Sequence, residues 1–427
     1  MKIGVILAAG KSSRFKSSIP KGLHNIDGKS IVERIIDCFF VAKVDKIYII
    51  VSDESYCCYK KIKGVDFLFQ GDLRGTGGAF YSLNGLFKVE DEIIVINSDC
   101  FMFDKKVILN FYDRFINCCY DMGVITIKVN NPFGYGRIFK NNDRIKIIEE
   151  NEADDLIRKI DVVNSGIYIF RGKYLIKNMR KLNIKDKESK ITSFFNNEKC
   201  LDYFCDSPIR GVNSKEDFGA LNKEFYLFNC YKHMKNGVKI YDSDNTYIGD
   251  DVIIGENVEI FPSSYILGKS RIDDNSVIYP FSFIIDSCIG KENIIGPYSY
   301  IRDNSIIKDN AFLGSFLEVK NSIIGENVKA KHHGYIGDCE IGKSSNIGCG
   351  FVSANYDGKK KNKIVIGDNN FIGSNVTIVA PVRVGNNVII GAGSTITNDI
   401  NDNCLAIARE KQINKEGYSL KGRESEW

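Results

Sequence analysis

From Ile248 onward an aliphatic residue returns at every sixth position, through Ile254, Ile260, Ile266, Ile272, Ile278 and Ile284. The phase slips once and resumes at Ile289, Ile295, Ile301, Ile307, Leu313 and Val319; a further unbroken series is Ile366, Ile372, Ile378, Val384, Ile390 and Ile396. A period of six is neither the alternation of a strand nor the 3.6 of an amphipathic helix. Three six-residue faces close a triangular coil with each aliphatic side chain pointing inward. Glycine often comes next, as in Ile248-Gly249, Ile254-Gly255 and Ile372-Gly373, and is expected to ease the corner. The competing reading is an isoleucine-rich β-sandwich, and three phased series weigh against it. The pattern predicts a parallel β-helix of about ten coils.

Residues 1–213 are patterned differently. Aliphatic strands (Lys2–Leu7, Lys46–Val51, Glu92–Asn97, Met122–Val129) alternate with helix-like stretches such as Ser30–Phe40. That alternation predicts a Rossmann-like α/β domain with a mostly parallel sheet. Between the two regions lies an expected linker helix, residues 214–236. Ser214 and Asp217 have capping-box spacing, and Phe218, Leu221, Phe225 and Phe228 line one face. Residues 237–427 then hold the β-helix and a C-terminal tail.

Composition narrows the function classes. The chain has 427 residues, 44% hydrophobic and 26% charged, with a net charge of +4. Length alone favours two domains. The lysines are interleaved with acids, which gives no reason to expect nucleic acid or a membrane as partner. No apolar run approaches a membrane span. Thirteen cysteines without C-x-x-C or regular spacing, and a start that runs straight into a strand without a signal peptide, are read as reduced thiols in a cytoplasmic protein.

The first strand ends in the loop Leu7-Ala8-Ala9-Gly10-Lys11-Ser12-Ser13-Arg14-Phe15, followed by Pro20-Lys21. It is not a P-loop, because the first glycine of that motif would fall at Val5 inside the strand. Small residues let backbone N–H groups approach phosphates, and Arg14 and Lys21 add positive charge. On these residues alone a plain strand-to-helix turn is an equal reading. Asp99 sits at the carboxyl end of Glu92–Asn97, where open α/β sheets place ligands. A carboxylate there, joined by an amide oxygen from a distant segment, makes a hard-oxygen Mg²⁺ site.

The segments "LAAGKSSRFKSSIPKGLH", "QGDLRGTGGA", "NSD", "GYGRI", "IIEENEA", "VNSGIYIF" and "GVNSKEDF" follow one another as in sugar-1-phosphate nucleotidyltransferases. The whole front region resembles the uridyltransferase half of bifunctional bacterial GlmU proteins. The resemblance implies nucleotide contacts from Leu7, Ala8, Ala9, Gly10, Gln70, Gly75 and Thr76, with Asn97 and Ser98 beside them and Lys21 on the phosphates. It implies UDP-sugar contacts from Gly136, Glu149 and Asn164, and Mg²⁺ held by Asp99 and Asn213. Arg14 and Lys21 would neutralise phosphate charge. Ser12 and Ser98 depart from the family's usual glycines, and each brings a side chain close to phosphate or ribose.

The back region resembles the acetyltransferase half through "GPYSYIRDNS", "GSFLEVKNS", "KAKHHGYIGDCEIG", "NIGCGFVSANYDG", "FIGSNVTIVAPVRVG", "GAGSTIT" and "LAIARE". Amide formation needs a base for the ammonium proton, and imidazole suits pH 7. The motif makes His332 that base, rather than His333, with Glu318 orienting it. Arg302, Lys320, Tyr335 and Asn346 would hold the amino-sugar phosphate. Cys349, Asn355, Tyr356, Ser374, Ala392 and Arg409 match acetyl-CoA positions. Cys349 replaces a usual alanine and is read as a small-residue exchange, not a nucleophile. The repeat breaks between Val352 and Ile366 in the lysine-rich "SANYDGKKKNK", where solenoid insertions often mark a binding face.

The expectation is therefore an α/β nucleotidyltransferase followed by a left-handed parallel β-helix of hexapeptide repeats. Its substrates would be UTP, N-acetylglucosamine 1-phosphate, glucosamine 1-phosphate and acetyl-CoA. The resemblance implies a homotrimer with acetyl-transfer sites between neighbouring prisms. Two other readings are a monofunctional nucleotidyltransferase with a structural or regulatory β-helix, and a non-catalytic assembly protein on the same folds. His332, Asn355, Tyr356 and Arg409 together disfavour the first; Lys21, Asp99 and Asn213 disfavour the second.

Overall fold

Four aliphatic residues and one glycine, Ile3 to Leu7, read as a run buried on both faces, and they form the strand at the middle of a mixed sheet. This computed structural model describes residues 1–10, 15–71, 75–182 and 189–416. Lys2–Leu7 pairs in parallel with Lys46–Val51 on one side and with Glu92–Asn97 on the other. Asp66–Phe69 extends the parallel run beyond Lys46–Val51. Past Glu92–Asn97 the sheet turns antiparallel at Val162–Arg171, which also pairs with Met122–Lys128. Because Leu7 pairs with both Ile50 and Asn97, the loops leaving those three strands emerge together at the carboxyl edge.

The helix Ile31–Val41 covers this sheet. Its start is set by a capping box: Glu33 N–H donates to Ser30 Oγ (3.2 Å), and Ser30 N–H donates to Glu33 Oε2 (2.8 Å). The helix can approach closely because Gly4 has no side chain; a Cβ there would lie 2.9 Å from the Phe39 ring.

The chain divides into two compact units, Met1–Phe225 and Tyr226–Trp427. The division falls inside the helix Lys215–Lys235, which has the Ser214–Asp217 box at its start. In the first unit Leu221 and Phe225 are buried, and the Arg34 guanidinium lies 4.7 Å from the Phe225 ring. In the second, Asn229 Nδ2 donates to Ile248 O at 2.9 Å.

The second unit is a left-handed parallel β-helix. Its short strands stack into three all-parallel sheets of ten, nine and eight strands. The register runs Ile248 to Ile266 to Ile284 to Ile301 to Val319 to Ile336, all but fully buried. One slip arises where Ile272 pairs with Ile289, a coil shorter by a residue. The row also continues through Ile324, Ala330, Ile336, Ile341 and Ile347, a stretch hidden in sequence by two further shortened steps and by alanine at 330. Ser353 keeps the inward place with no exposure, so the insertion starts later than expected, at Asn355.

The corners correct the expectation for glycine. Gly255 has no left-handed backbone; it is small because a Cβ would lie 2.3 Å from Asp274 Oδ1 on the next coil. That carboxylate accepts from Glu256 N–H at 3.1 Å. The left-handed residue is two places on and is mostly asparagine: Asn257, Asn275, Asn310, Asn327, Asn369, Asn387 and Asn403 all have φ between 54 and 60°.

His233, in the last turn of Lys215–Lys235, is buried and its Nδ1 has no hydrogen-bond partner. Burial, with the Lys232 charge behind it, pushes its pKa down from 6.5 to about 4. The folded state then binds fewer protons than the unfolded state between those values. The stabilisation by neutral His233 is complete above pH 6.5 and is lost as pH falls toward 4. In a His233→Leu variant the urea midpoint should fall less steeply over that window than in wild type; parallel slopes would remove His233 from the acid response.

Candidate active sites

In the first unit, Lys21 follows Pro20 and leads a single 3-10 turn, Lys21–Leu23. Gly22 lets this turn press on the strand end, since a Cβ there would meet Ser98 O at 2.6 Å. The turn delivers Lys21 Nζ onto the Asp99 carboxylate and to 3.0 Å from Asn213 Oδ1. Asn213 is brought there by Val212, whose N–H donates to Asp99 O at 3.0 Å. Asp99 and Asn213 come from distant segments and present two hard oxygens to one positive charge, the ammonium. That donor set fits a magnesium ion.

The other front residues form two clusters at the same edge. Ala8 N–H donates to Ile50 O (2.8 Å) and Ser98 N–H to Leu7 O (3.1 Å), drawing Leu7, Ala8, Asn97 and Ser98 together; Ala9 and Gly10 follow directly. Gln70 Nε2 donates to Gly75 O at 3.1 Å, and Thr76 Oγ1 accepts from Ile191 N–H at 3.1 Å. In the second cluster Asn164 N–H donates to Gly136 O at 2.9 Å, and a Cβ on Gly136 would lie 3.6 Å from Glu149 Oε2. Asn97 links the two, because Gly166 fits against its amide and Gly166 N–H donates to Asn164 Oδ1 (3.0 Å). Asn97 Oδ1 is buried without a hydrogen-bond partner, an acceptor left for a ligand. Beside Glu149 is a cavity of about 570 Å³. Arg14 and Ser12 lie outside the described residues.

Ser98 corrects one expectation. Its side chain hydrogen-bonds the buried Tyr59 hydroxyl instead of reaching toward a ligand. Burial pushes the Tyr59 phenol well up, and that hydrogen bond only partly opposes it. Thr192 was missed in the sequence: its Oγ1 donates to Glu149 Oε1 at 2.9 Å, across a separation that no local motif reveals.

In the second unit the residues fall on two neighbouring sheets. Arg302 pairs with Lys320, and Tyr300, Glu318 and Tyr335 pair in turn, so these side chains stack coil on coil. Arg302 donates to Glu318 Oε1 from Nε (3.0 Å) and Nη2 (2.6 Å), and its Nη1 reaches Asp303 Oδ2 at 3.0 Å. Tyr335 lies across Gly337, where a Cβ would be 2.3 Å from its hydroxyl. Asn355 Nδ2 donates to that hydroxyl at 3.3 Å and to Asp338 Oδ2 at 2.5 Å. Lys361, which the sequence reading passed over, comes back from the insertion beside Lys320. That neighbouring ammonium lowers its pKa. A like-charge pair of this kind suits an anion.

His332 lies elsewhere. It lines an open groove of about 550 Å³ with Asn346, Cys349, Ser374 and Ala392. Among the described residues no hydrogen bond joins it to Glu318, whose carboxylate Arg302 holds in its fork. In this structure Glu318 meets Arg302 and not His332. Asn346 sits in the groove and not with Arg302, Lys320 and Tyr335. Tyr356 is 62% exposed, and Arg409 is exposed just past Ala408, whose N–H donates to Ser394 Oγ at 3.1 Å.

Two folds with two such sites define a nucleotidyltransferase joined to a hexapeptide-repeat transferase. A MobA-like NTP transferase domain model matches residues 4–156, and a bacterial transferase hexapeptide (six repeats) model matches residues 363–398. The chain belongs to the bifunctional GlmU family. A "Bifunctional protein GlmU" of Clostridium novyi is 36% identical over 98% of each chain. That of Clostridioides difficile is 37% identical over 97% of this chain and 96% of its own, and that of Thermotoga maritima 33% over 99% of each. A crystal structure of HddC from Yersinia pseudotuberculosis covers 53% of this chain and 100% of its own at 21% identity and a TM-score of 0.42, a likeness too loose to argue from. No described helix is long and apolar enough to cross a membrane.

One carboxylate gathers several bonds within the insertion. Asp357 Oδ1 accepts from Lys359 and Lys360 N–H (2.9 and 2.8 Å), and Oδ2 accepts from Asn362 Nδ2 (2.9 Å). The Lys360 amide, then Asn362 and the Lys359 amide, hold this carboxyl down at about 2. Asp357→Ala should speed tryptic cleavage within Lys359–Lys363 several-fold at neutral pH, with cleavage elsewhere unchanged. An unaltered digestion rate would show that the loop does not depend on this clamp.

Proposed function

We propose that the chain performs two steps of UDP-N-acetylglucosamine synthesis, each at one of the sites described. The back domain transfers the acetyl group of acetyl-CoA to glucosamine 1-phosphate. The front domain couples N-acetylglucosamine 1-phosphate to UTP and releases pyrophosphate. The observation that carries this reading is the convergence of Lys21, Asp99 and Asn213 in a chain that also sets His332 over a groove.

In the front site the nucleophile is a sugar phosphate oxygen, which needs no base. Bound at Asp99 and Asn213, magnesium would neutralise phosphate charge. Lys21 would then be freed to meet the nucleotide phosphates, while Gln70 and Thr76 position the nucleotide. Gly136, Glu149 and Asn164 hold the sugar end. Catalysis is alignment plus charge neutralisation.

In the back site His332 takes the proton of the attacking amine. Arg302 offers a planar fork and Lys320 a point charge to the sugar phosphate. Cys349, Ser374, Ala392 and Asn346 line the acyl-donor groove, and Tyr356 and Arg409 flank it. Since His332 lies in the turn before Gly334–Gly337 and Asn346 on the sheet next to that of Arg302, Lys320 and Tyr335, a second copy of the chain would close each site. A homotrimer meets that need.

Asp99→Ala should abolish UTP-dependent pyrophosphate release and leave thiol release from acetyl-CoA intact. His332→Ala should do the reverse, with a loss of about 10²–10⁴-fold in acetyl transfer. Loss of both activities in either variant, with the oligomer intact by sedimentation, would sink the two-site reading.

A further inference from the structure

Three aromatic rings meet beside the front site, each from a different segment. Phe15 ends the loop after the first strand, His24 caps the Lys21–Leu23 turn, and Phe218 lies one turn into the helix Lys215–Lys235. The His24 ring is 4.5 Å from Phe15 and 5.7 Å from Phe218, and Phe15 and Phe218 are 6.4 Å apart, edge to face. Tilted and edge-on pairs at such distances are favourable for aromatic rings. Phe15 is almost fully buried. His24 Nε2 is buried without a hydrogen-bond partner, so at that atom the imidazole is held by ring contact and not by a polar bond.

The backbone around these rings runs directly into the Lys21 and Asn213 site. His24 N–H donates to Lys21 O at 3.4 Å and Leu23 N–H to Pro20 O at 2.9 Å, which makes His24 the end of the turn that aims Lys21. On the other side, Asn213 N–H and Ser214 N–H both donate to Asp217 Oδ2 at 2.9 Å, tying Asn213 to the helix one residue before Phe218. Lys21 Nζ then reaches Asn213 Oδ1 at 3.0 Å. The contacts form a closed circuit, from Lys21 through His24, Phe218, Asp217 and Asn213 back to Lys21. A second ring pair serves the remaining member of the site. Phe225, two turns further along the same helix, meets Phe101 edge to face at 5.9 Å, and Phe101 is two residues past Asp99. The first half of the helix thus touches the segments of all three site residues, and it belongs to the first compact unit.

We propose that His24 and Phe218 are positioning residues of the front site, and that their ring contact keeps the magnesium donor Asn213 in place opposite Lys21. The inference rests on the reading of Lys21, Asp99 and Asn213 as a metal and phosphate site, and goes beyond it by assigning the helix to that site. Neither ring needs to touch a reacting atom. Their effect comes through placement, because supporting residues set where a donor stands and a small displacement is enough to weaken an ion site. The helix expected as an arm between domains is, over its first three turns, part of the frame of the front site.

The test uses the full-length chain with His24→Ala, Phe218→Ala, the double variant and His24→Phe. Two measurements report on the donors: Mn²⁺ affinity, read from the paramagnetic signal of the free ion, and the Mg²⁺ concentration giving half-maximal pyrophosphate release. Amide exchange of the metal-free protein reports on the frame. Each alanine variant should bind Mn²⁺ about tenfold more weakly and need correspondingly more Mg²⁺. Exchange should quicken at Val212, whose N–H donates to Asp99 O, while thiol release from acetyl-CoA stays unchanged. Because both substitutions open one contact, the double variant should be no worse than either alone. His24→Phe keeps a ring between Phe15 and Phe218 and should retain the Mn²⁺ affinity of wild type. Alanine variants that lose stability to urea yet keep the metal dependence of wild type would reduce the rings to packing and overturn the positioning role. Additive losses in the double variant, or a His24→Phe variant as weak as His24→Ala, would overturn the ring contact as its cause. Wild type that binds Mn²⁺ but releases no pyrophosphate would overturn the uridylyl reading alone, since affinity and exchange still decide the positioning role. Wild type that binds no Mn²⁺ would overturn the metal site and the positioning role together.

Discussion

Parallel strands hydrogen-bonded about 4.8 Å apart are the constraint on which the back domain depends. Each coil has one inward place per face, and the aliphatic row from Ile248 through Ile396 fills those places with almost no exposure. Once that row is in register, every other position on a coil has a fixed neighbour above and below. Arg302 must stand under Lys320, Glu318 under Tyr335, and His332 under Cys349. A slip of one residue would turn the inward row outward and break up all of these columns together. The hydrophobic core and the chemistry therefore share one register.

The corners show how that register is held. Aspartate or asparagine side chains of one coil accept from backbone N–H groups of the previous coil, as Asp274, Asp309, Asp368 and Asp402 do. Each carboxylate occupies the space where a side chain on the facing glycine would be. Buried serines complete the polar part of the interior; Ser264, Ser276, Ser305, Ser322 and Ser345 are all nearly without exposure. Their small hydroxyls satisfy backbone groups at turns that would otherwise cost stability. The insertion after Ala354 leaves and rejoins this frame without disturbing it, since Ser353 pairs with Ile378 across it. It can thus carry Tyr356 and Lys361 at little cost to the core.

The front domain solves the same problem of placement by other means. Its functional groups come from loops at one sheet edge, and their positions follow from close backbone approach: Gly22 on Ser98, Gly166 on Asn97. Lys21, Asp99 and Asn213 are far apart in sequence, and they meet because the central strand Lys2–Leu7 brings the end of Glu92–Asn97 beside its own loop. A cation, a carboxylate and an amide oxygen from three segments then converge on one point.

Much of this was legible in the chain itself. Periodicity belongs to local sequence, so the six-residue repeat announced the β-helix, and alternating aliphatic runs announced the α/β layer. The motifs also named candidate residues for both sites. What stayed hidden was relational. Ala330 and the shortened coils masked part of the inward row, because only pairing with the next coil reveals an inward place. Thr192 on Glu149, Tyr59 on Ser98, Arg302 in place of His332 on Glu318, and His333 on Cys349 join residues whose separation carries no local signal. The repeat length and the motifs determined which elements form. Which side chains touch was decided by how coils and loops stack, because hydrogen-bonded register and close packing act between segments, across distances that no stretch of sequence spans.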